Sequence, residues 1–407
     1  MLSGLTEISD DIVFPERTHR TMDAPQAPAW TPIRAQRSRQ TLRERWLAAM
    51  TFRKPDRLPL MEFGYWAETL PAWHDQGLPR TIQTEADAYA YFGIEDWLKA
   101  GVSTGIYPSF EQEVLETGPD YTIVRDGDRA IRKERREGIR TIPHYLEYGL
   151  KNREDWKLFK ARLDPATPGR YPADWAQRVE AYRTREAPLS ISIGSMLGTP
   201  RNWIGFENVG LLAYDDPELL DEIVESCCVC VCETIKPALE QVQFDFGAGW
   251  EDVCFKNGPI ISPKMFERFV VPRYKRITDL LHAHGVKIIW TDCDGNILPI
   301  LDQFLDGGIN CMFPLEVAGG SDPVAIRQKY GRRVLLHGGV DKMPLRAGPK
   351  EIEREMLRLK PLVEEGGFIP HVDHRCPADV PLANYKFYLK LKREMFNAGD
   401  LTPHYKE

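Results

Sequence analysis

Two carboxylates stand two residues apart in a short turn in the second half of the chain. Asp292 and Asp294 follow the apolar run at residues 286–290, and a second apolar run ends at Phe313. Buried parallel strands appear as continuous apolar runs, and α/β folds place ligands in the turns at the carboxyl ends of such strands. Side chains two residues apart can point the same way, so both carboxylates could reach one cation. The alternative is that they cap the following helix, which aspartate does routinely.

Acids and histidines also follow the other apolar runs that we interpret as strands. The polar residues at these strand ends are Glu62, Ser195, Glu251, Asp252, Asp292, Asp294, Glu316, His337, Asp341, His371, Asp373 and His374. In a barrel of parallel strands they would all face one rim, which is where barrel enzymes keep their chemistry. Clustered carboxylates repel one another, so this rim predicts either a bound cation or carboxyl groups that keep their protons.

We predict a divalent-metal site at this rim. The oxygen and nitrogen donors of acidic residues and histidine suit zinc, manganese or iron. The predicted ligands are Glu251, Asp292, Asp294 and His374. A hydrogen-bonded rim residue is the alternative for His374. Cys293 alternates in direction with its two acidic neighbours and is expected in the core.

Catalytic and substrate-binding roles are predicted for the remaining polar and aromatic residues at the strand ends. The predicted catalytic residues are Glu251, Asp292, Asp294 and His337. His337 stands directly before two glycines, where the backbone can approach a ligand closely, with simple packing as the alternative. The predicted substrate-binding residues are Glu62, Tyr65, Trp66, Trp250, Asn296, Glu316, Asp341 and His371.

An alternation of strands and helices must position these residues. Residues 57–63 are predicted as the first strand and residues 96–105 as a weak second one. From Leu189 onward the alternation is regular, with six further strands predicted at residues 189–194 and 244–249 and in runs ending at Thr291, Phe313, His337 and His371. Eight such units indicate a (β/α)8 TIM barrel. The rival, a doubly wound sheet, would normally show a glycine-rich phosphate turn after the first strand, which residues 62–66 lack.

The chain is predicted to divide into an N-terminal arm and one large domain. Residues 1–40 carry Pro25, Pro28 and Pro32 with little periodicity, which predicts a poorly ordered or domain-wrapping arm. Residues 41–400 form the predicted barrel. Within it, residues 107–148 have an antiparallel pattern with a hairpin signal at Asp126 to Asp128, which predicts an insertion over the rim.

Composition narrows the class of protein. The 407 residues are 43% hydrophobic, enough for a large core, and a net charge of −7 without any long lysine- or arginine-rich block argues against nucleic-acid binding.

No apolar run approaches the roughly 18 residues that span a bilayer, and the N-terminus is too acidic for a signal peptide, so we expect a cytoplasmic protein. Cys227 and Cys230 lie in an apolar helical segment, which favours core cysteines over a metal or redox site.

Six stretches of the sequence carry a family resemblance. They are ERWLAAMTFRKPDRLPL, WEDVCFKNGPIISPKMFERFVVPRYKRI, DCDGNI, PLEV, HGGVDK and GGFIPHVDHRCPADVPLANYKFYL. Together they resemble the uroporphyrinogen decarboxylase-like superfamily over roughly residues 41–398. The resemblance implies a (β/α)8 barrel, in agreement with the strand count.

The superfamily that this chain resembles contains two chemistries. Its decarboxylases use an arginine-rich N-terminal segment and an aspartate, whereas residues 58–70 of this chain contain no arginine. Its cobalamin-dependent methyltransferases hold zinc through a His-x-Cys turn and a later Cys. The resemblance places Asp292 at the His position, Asp294 at the Cys position and His374 at the final Cys. These harder ligands imply an oxygen-linked methyl donor rather than thiol activation.

Three functions are compatible with these observations. The first is a metal-dependent methyltransferase that moves a methyl group from a small O- or N-methyl substrate to a corrinoid (cobalamin) protein or a related acceptor, with zinc as the expected Lewis acid. The second is a metal-free decarboxylase of a small carboxylated or tetrapyrrole substrate, in which Asp292 stabilises a developing cation. The third, a corrinoid or tetrapyrrole carrier, is disfavoured because carriers need few acids in the pocket. The sequence is also compatible with a homodimer.

Overall fold

Seven parallel strands form the central sheet of the protein. A computed structural model describes residues 38–135 and 143–399. The strands in these ranges are, in chain order, β1 (Leu98–Lys99), β2 (Glu113–Thr117), β3 (Tyr121–Arg125), β4 (Ile131–Arg135), β5 (His144–Glu147), β6 (Leu189–Ser192), β7 (Phe246–Trp250), β8 (Cys254–Phe255), β9 (Gly258–Pro259), β10 (Ile288–Asp292), β11 (Cys311–Phe313), β12 (Leu335–His337) and β13 (Phe368–Ile369). The central sheet has the order β1, β6, β7, β10, β11, β12, β13, with every neighbouring pair parallel.

Helices alternate with these strands, so the predicted TIM-barrel type of fold is confirmed. The α-helices are, in chain order, α1 (Leu42–Met50), α2 (Thr69–His74), α3 (Glu85–Phe92), α4 (Arg153–Lys160), α5 (Trp175–Arg183), α6 (Gly198–Ile204), α7 (Phe206–Asp215), α8 (Pro217–Gln241), α9 (Pro263–Phe269), α10 (Val271–Ala283), α11 (Leu301–Asp306), α12 (Pro323–Tyr330), α13 (Lys342–Ala347), α14 (Pro349–Glu365) and α15 (Leu382–Phe396). Two short 3₁₀ helices cover Leu298–Ile300 and Gly331–Arg333. Val270 separates α9 from α10, and Pro272, which has no N–H, lies in the first turn of α10.

The first predicted strand, at residues 57–63, is not a regular strand in the structure. This buried segment makes only isolated bridges, Leu58 with Ala398 and Tyr65 with Cys376. Its backbone also accepts a hydrogen bond at Leu60, whose carbonyl oxygen lies 2.8 Å from the N–H of Glu95. Pro59 explains the missing ladder, since proline has no N–H to donate. Seven of the eight predicted strands are therefore present in the central sheet of the described residues.

Aromatic side chains fill the interior of the sheet below the rim. Trp290 lies between Phe246 and Phe313, with ring centroids 4.6 and 5.0 Å away. Trp46 of α1 is fully buried and packs 4.8 Å from Phe246, and Trp97 meets Trp290 edge-on at 4.9 Å. The barrel is therefore a packed core, and any ligand must bind at its rim.

An antiparallel sheet lies between β1 and β6 in the sequence. It has the order β2, β3, β4, β5, so the insertion contains four strands in the described ranges rather than a single hairpin. At the predicted turn, Asp126 Oδ1 accepts hydrogen bonds from the N–H groups of Asp128 and Ala130 at 2.9 and 3.0 Å. Trp203 of α6 donates from Nε1 to Asp128 Oδ1 at 3.2 Å, which ties this sheet to the barrel. The predicted N-terminal arm lies largely outside the described residues.

The longest helix of the described residues, α8, contains four cysteines, Cys227, Cys228, Cys230 and Cys232. Asp216 caps it by accepting a hydrogen bond from the N–H of Leu219 at 3.0 Å, and Pro217 occupies its first turn. Cys227, Cys230 and the other six cysteines of the protein are buried free thiols, which confirms their predicted core role. Within residues 38–135 and 143–399, no helix is both long enough and apolar enough to cross a membrane.

Candidate active site

The acidic turn after β10 is held in place by acids from the two neighbouring strand ends. The N–H of Asp294 donates to Asp252 Oδ1 at 3.2 Å, and the N–H of Gly295 donates to Glu316 Oε2 at 3.0 Å. Gly295 has a φ of +71°, and a Cβ there would come within 2.6 Å of the Phe255 backbone. Only glycine fits this position, so the conformation of the turn is fixed.

Asp294 has one satisfied and one unsatisfied carboxylate oxygen. Its Oδ2 lies 3.2 Å from His374 Nε2. Its Oδ1 is buried and has no hydrogen-bond partner among the described residues. His374 is held by aromatic rings, since Trp66 stacks on it at 5.2 Å and Phe63 meets it edge-on at 5.5 Å. A buried, unpaired carboxylate oxygen is costly unless a cation or a proton compensates it.

Asp292 is the last residue of β10, and it pairs in register with Trp250 of β7 and with Phe313 of β11. Burial raises the pKa of Asp292 well above its usual value, the negative charges of Asp294 and Asp252 raise it further, and Arg375 acts in the opposite direction. Without a cation, Asp292 is therefore expected to keep its proton at a pH where an exposed aspartate has lost it.

This pKa shift predicts a specific pH dependence of stability. A folded-state pKa above the unfolded value of about 3.9 adds stability that is complete below that pH and is lost as the pH rises through the folded pKa. Asp292→Asn removes this contribution. In urea titrations from pH 4 upward, without added metal, we expect wild type to lose more free energy of unfolding than the variant. Parallel curves for the two proteins would contradict the shift.

The two aspartates of the turn do not cap the following helix. The N–H of Leu298, which begins the 3₁₀ helix, donates instead to Asn296 Oδ1 at 3.2 Å. Neither the 3₁₀ helix nor α11 has a side-chain cap from Asp292 or Asp294. The capping alternative therefore assigns to the two aspartates a contact that Asn296 makes, and the structure places this predicted substrate-binding residue within the turn.

Glu251, predicted as a metal ligand and catalytic residue, is already surrounded by protein donors. Its fully buried carboxylate accepts the N–H groups of Met196, Leu197 and Gly198 at the start of α6, and the hydroxyl of Tyr274. A carboxylate has about four lone-pair sites, and these donors fill them. Glu251 therefore fixes the loop before α6, and its carboxylate has no free position for a metal.

His337 and His371 lie in the packed interior below the rim. His371 contacts the Val372 carbonyl oxygen through Nδ1 at 2.7 Å and His337 Nδ1 through Nε2 at 2.8 Å. Burial lowers the pKa of His337 to about 3 and also lowers the pKa of His371, so both rings are neutral. The predicted catalytic role of His337 and the substrate-binding role of His371 do not fit these fully buried positions.

Glu62 and Tyr65, both predicted to bind substrate, face the α15 side of the barrel instead. Glu62 Oε1 lies 2.6 Å from Lys392 Nζ and accepts the Tyr388 hydroxyl at 2.8 Å, with the ion pair almost completely buried. The hydroxyl of Tyr65 lies 3.0 Å from that of Tyr385. These contacts join the irregular first segment to the last helix, so both residues have structural roles.

Of four further residues that were predicted to bind substrate, three lie at the acidic turn and one has a structural role. Trp66 is 46% exposed beside His374, and Trp250 lies with its ring 5.3 Å from the Arg201 guanidinium, so both border the acidic turn. Glu316 contacts the turn through the N–H of Gly295. Asp341 instead caps α13 by accepting the N–H of Met343 at 2.9 Å.

Three basic side chains at the rim, which were not predicted from the sequence, are paired with acidic residues. Arg201 bonds to Asp252, Arg375 contacts Glu85 at 2.7 Å, and Lys342 lies 3.2 Å from both Glu316 and Asp373. The buried Asp373 has its pKa raised to about 6, chiefly by burial. Because the partners are far apart in sequence, no local pattern could have revealed these pairs. None of the three cations is left uncompensated for a substrate carboxylate.

The donors at the turn fit a hard divalent cation by their chemistry. Asp294 offers a buried, unpartnered oxygen, Asp292 a second carboxyl group and His374 a ring nitrogen, all of which zinc and manganese accept. The side chains are not gathered around one point. In the part of the chain that the structure describes, no three His, Cys, Asp or Glu side chains have the spacing of a metal site. Cation binding would require side-chain rotation at the turn.

Comparison with known proteins relates this geometry to a family. The chain is similar to uroporphyrinogen decarboxylases of Campylobacter lari, 25% identical over 189 residues, and of Acidiphilium cryptum, 25% identical over 177 residues. These matches cover 45% and 42% of this chain and 51% and 46% of those proteins, so the chain spans about half the length of the curated relatives it matches.

A solved structure shows the same fold at low sequence identity. A methyltransferase from Methanosarcina mazei superimposes with a TM-score of 0.54 over 86% of this chain and 97% of that chain, at 16% identity. The family model described as Uroporphyrinogen decarboxylase (URO-D) matches residues 141–395, more than half of the sequence. The chain therefore belongs to the uroporphyrinogen decarboxylase (URO-D) family.

Proposed function

We propose that this protein is a methyltransferase that takes a methyl group from a small O- or N-methyl substrate and passes it to a corrinoid protein or a related acceptor. The observation that carries the proposal is the unpartnered Oδ1 of Asp294, which lies in the acidic turn and shares its carboxylate with His374. A free carboxylate oxygen next to a second carboxyl group and an imidazole is suited to a divalent cation.

Asp292, Asp294 and His374 would hold this cation, with zinc as the expected metal. When bound, it would supply a Lewis acid to the oxygen or nitrogen that loses its methyl group. The other residues position the donors. Asp252 and Glu316 hold the backbone of the turn through the N–H groups of Asp294 and Gly295, and the rings of Trp66 and Phe63 fix the orientation of His374.

A metal-free decarboxylase is the second candidate, because one observation favours it. Loss of CO2 leaves an electron pair on carbon that must take up one proton, and Asp292 has a raised pKa that lets it carry that proton. The two candidates differ in the state of Asp292, which is an ionised ligand in the first and a protonated acid in the second. The pairing of Arg201, Lys342 and Arg375 with acids makes a polycarboxylate substrate the weaker fit.

Two assays on one preparation separate the candidates. The first follows methylation of cob(I)alamin by its absorbance, with zinc and a panel of small methyl ethers and methylated amines. The second follows CO2 release from small carboxylic acids by metal-free protein. We expect corrinoid methylation with at least one methyl donor, and none with Asp294→Asn. Release of CO2 without any corrinoid methylation would favour the decarboxylase.

A further inference from the structure

A cavity of about 410 Å³ opens at the carboxyl ends of β1, β6 and β7, one strand away from the acidic turn. Its lining includes Ser103, Thr104, Gly105, Ser192, Thr199 and Trp250. This volume falls within the range of roughly 300–1,000 Å³ that small-molecule sites occupy. Trp250 connects the cavity to the turn, because it pairs in register with Asp292.

Two of the lining glycines are required by the packing of the fold. Gly194 has a φ of +64°, and a Cβ there would come within 2.8 Å of Val231 Cγ2. A Cβ at Gly249 would meet Ile193 at 3.1 Å. Gly105 differs, since a Cβ at this position would have no atom within 4 Å. A larger side chain at Gly105 therefore has room to occupy the cavity.

The lining carries hydroxyl groups and no charged side chain. Ser103, Thr104, Ser192 and Thr199 supply the hydroxyls, and those of Thr104 and Ser192 lie 2.9 Å apart. Two guanidinium groups beside the lining are already hydrogen-bonded. Arg170 donates to the carbonyl oxygens of Ser103 and Gly105 at 2.9 and 2.8 Å, and Arg201 pairs with Asp252. A charged ligand would find no charged side chain among the lining residues, which favours a neutral ligand.

We propose that this cavity binds the non-reacting part of the substrate, and that this part is an uncharged ring bearing a hydroxyl or ether group. The half-buried Trp250 lines the cavity and offers its ring for stacking, and the serine and threonine hydroxyls offer hydrogen bonds to the ligand oxygen. A ligand placed here would lie one strand away from Asp292, the register partner of Trp250. Which end of the ligand reacts rests on the proposed function. The binding of the ring in the cavity does not.

Three benzene derivatives of similar size and different charge test the ligand class. Benzyl alcohol is neutral, benzoate is an anion and benzylammonium is a cation at pH 7. We expect titrations followed by saturation-transfer NMR on the full chain to give benzyl alcohol about tenfold tighter binding than either ion, because burial of an unpaired charge costs at least 1.4 kcal/mol. Tighter binding of benzoate or benzylammonium would overturn the proposal.

Variants of the lining test the location. Gly105→Leu fills the cavity and is expected to abolish benzyl alcohol binding, while Gly105→Ala is expected to weaken it less. Thr199→Val, which removes one hydroxyl at nearly constant volume, is expected to weaken binding severalfold and serves if Gly105→Leu fails to fold. Unchanged affinity in the folded variants would place the ligand elsewhere.

Separate measurements of ring binding and cation binding distinguish this proposal from the proposed function. As a control, we expect Asp322→Ala at the start of α12 to leave benzyl alcohol affinity unchanged, because Asp322 does not line the cavity. If benzyl alcohol binds as predicted but no cation binds to wild type, the cavity assignment stands and the metal-dependent function fails. If a cation binds but the lining variants have no effect on ring binding, the metal-dependent function stands and the cavity assignment fails.

Discussion

Asp294→Asn is expected to abolish binding of a divalent cation and methyl transfer while leaving the free energy of unfolding unchanged or higher. The change keeps the shape of the side chain but removes one charge from a turn that also contains Asp292 and borders Asp252. Removing a like charge relieves repulsion, so stability does not fall. Cation affinity does fall, because an amide oxygen is a much poorer ligand for zinc than a carboxylate.

A helix-capping aspartate provides the matched control. Asp322 accepts the N–H groups of Val324 and Ala325 at 2.8 and 3.0 Å at the start of α12, whereas Asp294 caps nothing. Asp322→Ala should therefore lower the free energy of unfolding by about 0.5–2 kcal/mol without changing cation binding. Urea unfolding and calorimetric zinc titration of both variants check this contrast. A clear stability loss in Asp294→Asn with normal zinc binding would falsify the assigned role of the turn.

Lys392→Met is expected to produce a large loss of stability, about 3–5 kcal/mol. Lys392 Nζ and Glu62 are almost completely buried, so removal of the ammonium leaves an uncompensated charge in the core. The Met61 carbonyl oxygen, 2.9 Å from Lys392 Nζ, also loses its donor. The double variant Lys392→Met, Glu62→Gln should recover part of the loss, because it removes the unpaired charge as well.

An exposed pair on the same helix is the control for this change. Lys390 lies 3.9 Å from Glu394, with both side chains more than 30% exposed. Lys390→Met should therefore change the free energy of unfolding by less than about 1 kcal/mol. If Lys392→Met had an equally small effect, the buried pair would not hold the first segment against α15. A role for Glu62 in substrate binding would then regain support.

The sequence predicted the parts of the fold that follow from local patterns. Strands β7 and β10 were visible as apolar runs, and the turn after β10 was visible because Asp292 and Asp294 interrupt such a run. The irregular first segment was not predicted, although Pro59 gave a local reason to doubt a strand there. The barrel type nevertheless followed from the regular alternation of the remaining units.

The partners of polar side chains could not be predicted in the same way. Glu62 and Lys392 are 330 residues apart, and nothing near either position shows that they form a buried pair. Glu251 ends a strand in the same manner as Asp292, yet its carboxylate is filled by the loop before α6. A strand-end position therefore does not distinguish a free side chain at the rim from one that is buried or already bonded.

The metal content of the protein tests the central claim most directly. Wild-type protein equilibrated with zinc and dialysed should retain about one equivalent by elemental analysis, and the Asp292→Ala, Asp294→Ala double variant should retain none while unfolding as cooperatively as wild type. Wild-type protein that is fully folded, binds no zinc, manganese or iron, and releases CO2 from a carboxylic acid would contradict the account and establish the metal-free alternative.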